Sequence, residues 1–128
     1  MEKIRRDYPN IAPAGPNYTR GIRCGDMLFV SGCTAKGTSA QGAPLADQLR
    51  VTLDRITRIV ADEGGEPGDI VKITTFVTSI ANWDAYANAE VLFEEFFKGE
   101  YPTNSRVEIT GLAEPGLDIE IDAMAILG

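Results

Sequence analysis

Histidine does not occur in this chain of 128 residues. Its absence excludes Ser-His-Asp and Cys-His nucleophile–base pairs and every zinc site that uses imidazole. Cysteine is nearly as scarce, with only Cys24 and Cys33. Between them, Gly25-Asp26 separates two strand-like runs, Arg20–Cys24 and Met27–Gly32, and reads as a tight hairpin turn. At ~3.3 Å per residue that hairpin leaves the two sulfurs roughly 20 Å apart, against a Cα limit of ~7 Å for a disulfide. Two free thiols and a reducing, cytoplasmic setting are therefore expected. No apolar run approaches the ~20 residues of a membrane span, and the start MEKIRRDYPN lacks the apolar segment of a secretory signal. No membrane partner is expected. Positive charge is also short, with 12 Lys and Arg against 19 Asp and Glu, a net −7. A polyanion meets a repulsive mean field, so nucleic acid is not an expected partner. With no phosphate loop, dinucleotide fingerprint or metal-spaced cluster, neither cofactor nor metal is expected.

What is present suits one small α+β unit. The length favours a single domain over residues 1–128. Residues 1–19 carry Pro9, Pro13 and Pro16 and read as an extended arm before the hairpin. The loop Thr34–Pro44 is rich in small residues, flexible by composition, and of the kind that lines sites. Leu49, Leu53, Ile56 and Val60 then fall on one helical face, closed by Gly64-Gly65. Ile70–Thr78 is β-branched and strand-like. A second helix is expected from about Asn82, as N-cap, to Lys98, with Gly99 beyond its end. Ser105–Thr110 and Leu117–Ile126 alternate as strands, the latter placing Leu117, Ile119, Ile121 and Ala123 opposite Asp118, Glu120 and Asp122. The order β-β-α-β-α-β-β predicts one mixed sheet with two helices packed on a single face.

Chemistry must come from polar groups on strand faces, and each has two readings. Asp118, Glu120 and Asp122 form a solvated strand face or a hard-cation site. Arg106 offers a bidentate fork to a carboxylate, or a cross-strand ion pair. Glu120 positions a water and manages its proton, or again pairs across strands. Glu90, at the edge of the apolar face of the second helix, is a rim residue or a group held for a partner. Cys33 reads as a pocket wall, with a nucleophile as the other possibility. Tyr18 donates its hydroxyl to a ligand, or simply pins the arm.

Gly15-Pro-Asn-Tyr-Thr-Arg-Gly21 with Phe29-Val-Ser-Gly32, Gln48-x-Arg50-x-x-Leu53-Asp54, Gly68-Asp-Ile-Val-Lys72, Phe93-Glu-Glu-Phe-Phe97, Pro102-Thr-Asn-Ser-Arg-Val-Glu108 and Ile119-Glu-Ile-Asp-Ala-Met-Ala125 occur in that order. Over nearly the whole chain they resemble the reactive intermediate deaminase family (RidA, also called YjgF). The resemblance implies a chorismate-mutase-like α+β protomer and a homotrimer with clefts between subunits. It also implies cofactor-free hydrolysis of an enamine or imine, such as 2-aminoacrylate, to a keto acid and ammonia. Tyr18, Gly32, Ser105 and Glu120 match the family's motif positions. The family's Pro-x-Arg arginine, which holds the substrate carboxylate, is replaced here by Asn104 of Pro102-Thr103-Asn104. Glu90 stands where an asparagine is usual, and Cys33 where a pocket glutamine is usual. Arg106, two residues on and about 7 Å along the same strand face, is the expected substitute anchor for the carboxylate, and a longer acid such as 2-aminomuconate suits that shift. Asn104 and Tyr18 are its expected hydrogen-bonding companions, Glu120 the water-handling group, and Glu90 a rival partner for Arg106. The alternative function is a non-catalytic small-molecule-binding or chaperone-like trimer, favoured by the missing arginine.

Overall fold

Alternating strands and one-sided helices can bury their apolar faces only against each other, and the computed structural model, which describes residues 1–128, realises that packing. The elements are β1 (Ile4–Arg6), β2 (Gly21–Cys24), β3 (Met27–Cys33), α1 (Leu45–Asp62), β4 (Ile70–Val77), α2 (Ile80–Tyr86), α3 (Ala89–Phe97), β5 (Thr103–Glu108) and β6 (Ile119–Ile126). The strands form one mixed sheet in the order β1-β2-β3-β6-β4-β5. β4 and β5 pair in parallel, because the α2–α3 crossover carries the chain back to the same end of the sheet; β6 is antiparallel to both β3 and β4. One face buries Leu28, Val30, Ile73, Val77, Ile119 and Ile121 under the stripe of α1 formed by Leu49, Leu53, Ile56 and Val60. The expected α+β class is the observed one.

Four details differ from expectation. The arm is not wholly irregular, since Ile4–Arg6 pairs with β2 as an edge strand. The second helix is two helices, so three pack rather than two. The chain breaks at Asn88, whose φ of 55° lies in the left-handed region that asparagine tolerates better than most residues. The cap of α2 is Ser79, whose hydroxyl accepts the Asn82 N–H at 3.1 Å, rather than Asn82 itself. The small-residue loop is pinned: Ala35 and Ala40 are buried against Leu117, and Arg55 donates to the carbonyls of Thr34 and Lys36. The hairpin turn is as expected, with Cys24 paired to Met27 and Gly25 at φ 61°, and both cysteines are free.

Buried polar contacts set the register of α1 on the sheet. Gln48 is fully buried; its Oε1 accepts the Asp118 N–H at 2.9 Å, and its Nε2 donates to Ala43 O at 2.9 Å and Asp118 Oδ2 at 3.1 Å. Thr78 Oγ1 donates to the other Asp118 oxygen, and Asp122 Oδ1 accepts the Thr74 N–H. The acidic residues at 118, 120 and 122 are thus committed to separate surroundings and form no cluster able to hold a metal ion. No helix is long and apolar enough to cross a membrane.

A second polar contact ties down the arm. The Glu63 side chain, only 4% exposed, receives Arg6 Nη1 at 2.6 Å and the Tyr8 hydroxyl at 2.8 Å, with Arg23 Nη1 at 3.5 Å. Burial alone would raise this carboxyl, but the hydrogen bonds from Tyr8 and Arg6 and the Arg6 charge outweigh it and hold Glu63 below its ordinary 4.5. A carboxyl that ionises lower when folded stabilises fully above its unfolded pKa, and that stabilisation drains away as pH falls through the folded value. Unfolding midpoints of the wild type and of Glu63→Gln, followed from about pH 7 to about pH 3, are therefore expected to converge with falling pH. A gap that stays constant or widens contradicts the clasp.

Candidate functional site

The site originates in a bulge. Val30 pairs with Ala123 and Cys33 with Ile121, so β3 spends one more residue than β6 over this stretch. The extra residue lets Ser31 and Gly32 leave the regular alternation and returns Cys33 to the buried face. Glu120 fills the room beside Gly32: a Cβ built there would stand 2.6 Å from its carboxyl carbon and 2.7 Å from Oε2. Only glycine permits this carboxylate to lie flat on the strand.

Arg20 closes the cleft from the arm side. It is 5% exposed, and every N–H of its guanidinium has a partner. Nε donates to Ala12 O at 2.9 Å; Nη1 to Gly32 O at 2.6 Å, with Ser31 O and Cys33 Sγ further off; and Nη2 to Pro13 O at 2.9 Å and the Tyr18 hydroxyl at 3.2 Å. The same cation lies 5.3 Å from the centre of the Tyr18 ring. Because the Tyr18 oxygen accepts from Arg20, its own hydrogen is left to donate elsewhere. Tyr18 is half-exposed and lines the opening with Gly32, Thr34, Lys36, Arg55 and Glu120, around a cleft of about 230 Å³. Burial foremost, then repulsion from Asp122, pushes Glu120 above its ordinary 4.5, while the Arg20 charge pulls it back only in part.

Of the residues expected from sequence, Tyr18, Gly32 and Glu120 come together here and the others do not. Cys33 lies behind the wall, in the core, and does not line the cleft; burial pushes its thiol up to about 11, which leaves it inert near neutrality. Ser105 faces the open side of the edge strand, opposite Thr74. Asn104 and Arg106 face the helix side, paired with Ile73 and Thr75, and Asn104 Oδ1 accepts the Thr75 hydroxyl at 3.0 Å. Glu120 is paired with Phe76 and faces the opposite side of the sheet, with β4 in between. Within one protomer Arg106 and Glu120 therefore cannot grip the same small molecule.

Arg106 is not free either. Its Nη1 lies 3.5 Å from Asp84 Oδ1, and its guanidinium stands 6.0 Å from the centre of the Trp83 ring. The sequence spacing gave the correct strand face, but α2 delivers a carboxylate to that face which no local pattern announces. Glu90, the expected rival, is not its partner; it is exposed in the first turn of α3, in a shallow hollow with Asp84 and Tyr86. Arg20, Lys36 and Arg55 are the site residues that sequence reasoning missed. For Arg55 a signal existed: it lies three and four residues after Thr52 and Val51, on the flank of the buried stripe of α1.

A helix-backed mixed sheet with a partly desolvated carboxyl and an oriented phenol in a small cleft defines the α+β architecture and its candidate site. The family model described as Endoribonuclease L-PSP matches residues 9–127. The chain is 32% identical over 133 residues to the reactive intermediate deaminase TdcF of Escherichia coli, covering 98% of each. It is 35% identical over 122 residues to the 2-iminobutanoate/2-iminopropanoate deaminase of the same organism, covering 90% of this chain and 91% of that one. The crystal structure of E. coli TdcF with bound serine superposes with a TM-score of 0.82 at 30% identity, covering 99% of this chain and all of that one. The chain belongs to the reactive intermediate deaminase family, RidA/YjgF.

Glu120 titrates above 4.5 on this geometry, and Asp122→Asn removes one of the two causes. A carbon-detected NMR titration of the side-chain carboxyls is expected to find Glu120 raised in the wild type and lower in Asp122→Asn. An ordinary value in the wild type, or no change in the variant, contradicts the assignment.

Proposed function

We propose that the protein hydrolyses the imine or enamine of a small carboxylic acid to the keto acid and ammonia, without a cofactor, as a homotrimer. The observation that carries this reading is the raised Glu120 carboxyl laid against Gly32 beside the Tyr18 hydroxyl. It is supported by the 35% identity to a protein named for 2-iminobutanoate and 2-iminopropanoate deamination. In the imine the reacting carbon is already electrophilic. Glu120, ionised, takes a proton from a water as its oxygen bonds to that carbon, and the C=N electron pair passes to nitrogen. The carboxyl returns that proton to nitrogen, giving the carbinolamine; Glu120 then takes the carbinol hydroxyl proton and passes it to nitrogen as the C–N bond breaks, so that ammonia leaves and the carbonyl forms. Tyr18, its oxygen engaged by Arg20, donates its hydrogen to the substrate and orients it. Imines hydrolyse in water unaided, so this sparse machinery is sufficient for the modest barrier reduction required.

A ribonuclease role, the activity in the family model's description, is disfavoured by a chain with net charge −7 and no histidine. A non-catalytic small-molecule binder is the second reading, favoured by Asn104 in place of an arginine and by the commitment of Arg106 to Asp84. The trimer is proposed on the uncovered sheet face, where Phe29, Val107 and Ile126 remain exposed beside Met124. A sheet with one apolar face open to water is a natural surface for a second copy.

Ammonia release from 2-iminopropanoate generated in situ is expected to exceed the buffer rate. Glu120→Gln, and Gly32→Ala through displacement of that carboxyl, are each expected to cost about 100-fold or more. Wild type no faster than buffer rejects the enzyme and leaves the binder. In the same preparations, sedimentation is expected to give three times the 13.8 kDa protomer mass, reduced by Phe29→Glu; a wild-type protomer mass rejects the trimer.

A further inference from the structure

The cleft beside Glu120 contains more positive charge than the reaction above uses. Arg20 and Arg55 both line it, and no carboxylate oxygen lies within 4.0 Å of either guanidinium. Of the other six arginines, Arg6, Arg23, Arg50, Arg58 and Arg106 have carboxylate partners, and the one that does not, Arg5, is exposed at the edge strand. The two arginines differ in what they have left to give. Arg20 has every donor on a protein acceptor and is a fixed, buried charge. Arg55 donates Nη1 to Thr34 O at 2.7 Å and Nη2 to Lys36 O at 2.9 Å, and the other three of its five N–H groups meet no protein acceptor.

Burial foremost, with the nearby Arg20 and Arg58 charges, pulls Arg55 below the usual arginine range. Charge counting then sets the ligand. Lys36 is matched by Glu114 at 3.2 Å, so among the charged groups that line the cleft Arg20 and Arg55 face Glu120, and one positive charge is left over. A single spare cation suits one carboxylate, as in a 2-imino acid of three or four carbons, better than the two of a dicarboxylate such as 2-aminomuconate.

We propose that Arg55 is the carboxylate anchor of this cleft, that Arg20 backs it with a fixed charge as a positioning residue, and that the acid selected is a small monocarboxylate. Only the placing of that carboxylate beside the reacting carbon rests on the deaminase reading; the anion site itself does not. The probe is an unreactive acid. Propionate, malonate and inorganic phosphate are titrated into the full-length protein, with amide shifts followed at Gly32, Thr34 and Gly37. Propionate is expected to saturate these shifts and to bind best of the three. Loss of a charge-assisted bidentate contact in Arg55→Gln is expected to weaken it about 10-fold or more. Arg55→Lys is expected to restore part of the affinity, and Arg106→Gln, the rival anchor, to bind as the wild type does.

Wild-type affinity in a folded Arg55→Gln, loss of binding in Arg106→Gln instead, or tighter binding of malonate or phosphate each overturns the proposal. Should Arg55→Gln not fold, the Arg55→Lys affinity and the wild-type ligand order decide it on the same terms. Carboxylate binding at Arg55 without ammonia release keeps the anchor and removes the deaminase. Ammonia release with a KM unchanged in Arg55→Gln removes the anchor alone.

Discussion

One buried guanidinium organises the site. Arg20 joins the arm, through the carbonyls of Ala12 and Pro13, to the bulge of β3, through the carbonyl of Gly32, and sets the Tyr18 hydroxyl between them. A buried cation without a carboxylate is costly unless every donor is satisfied, and here backbone carbonyls and the Tyr18 hydroxyl satisfy all of them. The cost is offset only if arm and bulge hold their observed relation, so the charge specifies the geometry of the cleft as well as its potential. Gly32 supplies the complementary constraint, since its missing side chain is the space that Glu120 occupies.

Charge is distributed unevenly for a reason. The molecule is acidic as a whole, yet the cleft gathers Arg20, Lys36 and Arg55 around a single Glu120. The far side of the edge strand does the opposite, with Arg106 committed to Asp84 and Glu90 exposed in the hollow that Asp84 also lines. An anionic small molecule is drawn to the first place and repelled from the second.

Much of the fold was legible because it follows from short-range rules. The alternation of Leu117–Ile126, the stripe Leu49-Leu53-Ile56-Val60 and the Gly25-Asp26 turn each state their structure within ten or so residues. The split between α2 and α3 was not legible, since it rests on one left-handed φ at Asn88 inside an otherwise continuous apolar pattern. β1 escaped notice because an edge strand of three exposed residues has no burial pattern to reveal it. Tyr18, Gly32 and Glu120, expected from the resemblance, lie together around one cleft. Arg106 was placed on the correct strand face but assigned the wrong partner, because Asp84 arrives from another element. Arg20 was missed because most of its partners are backbone carbonyls remote in sequence, and Arg55 because its place on the flank of the α1 stripe does not show that it reaches the carbonyls of Thr34 and Lys36.

The most direct test of the proposed chemistry is the pH dependence of kcat/KM for imine hydrolysis in the wild type, set beside the titration of the Glu120 carboxyl in the same protein. A base must be ionised to take a proton from water, so the rate is expected to rise with pH through an ionisation above 4.5 that coincides with Glu120. A rate indifferent to pH across that ionisation, or one that turns on a different group, contradicts the assignment of Glu120 as the residue that activates water.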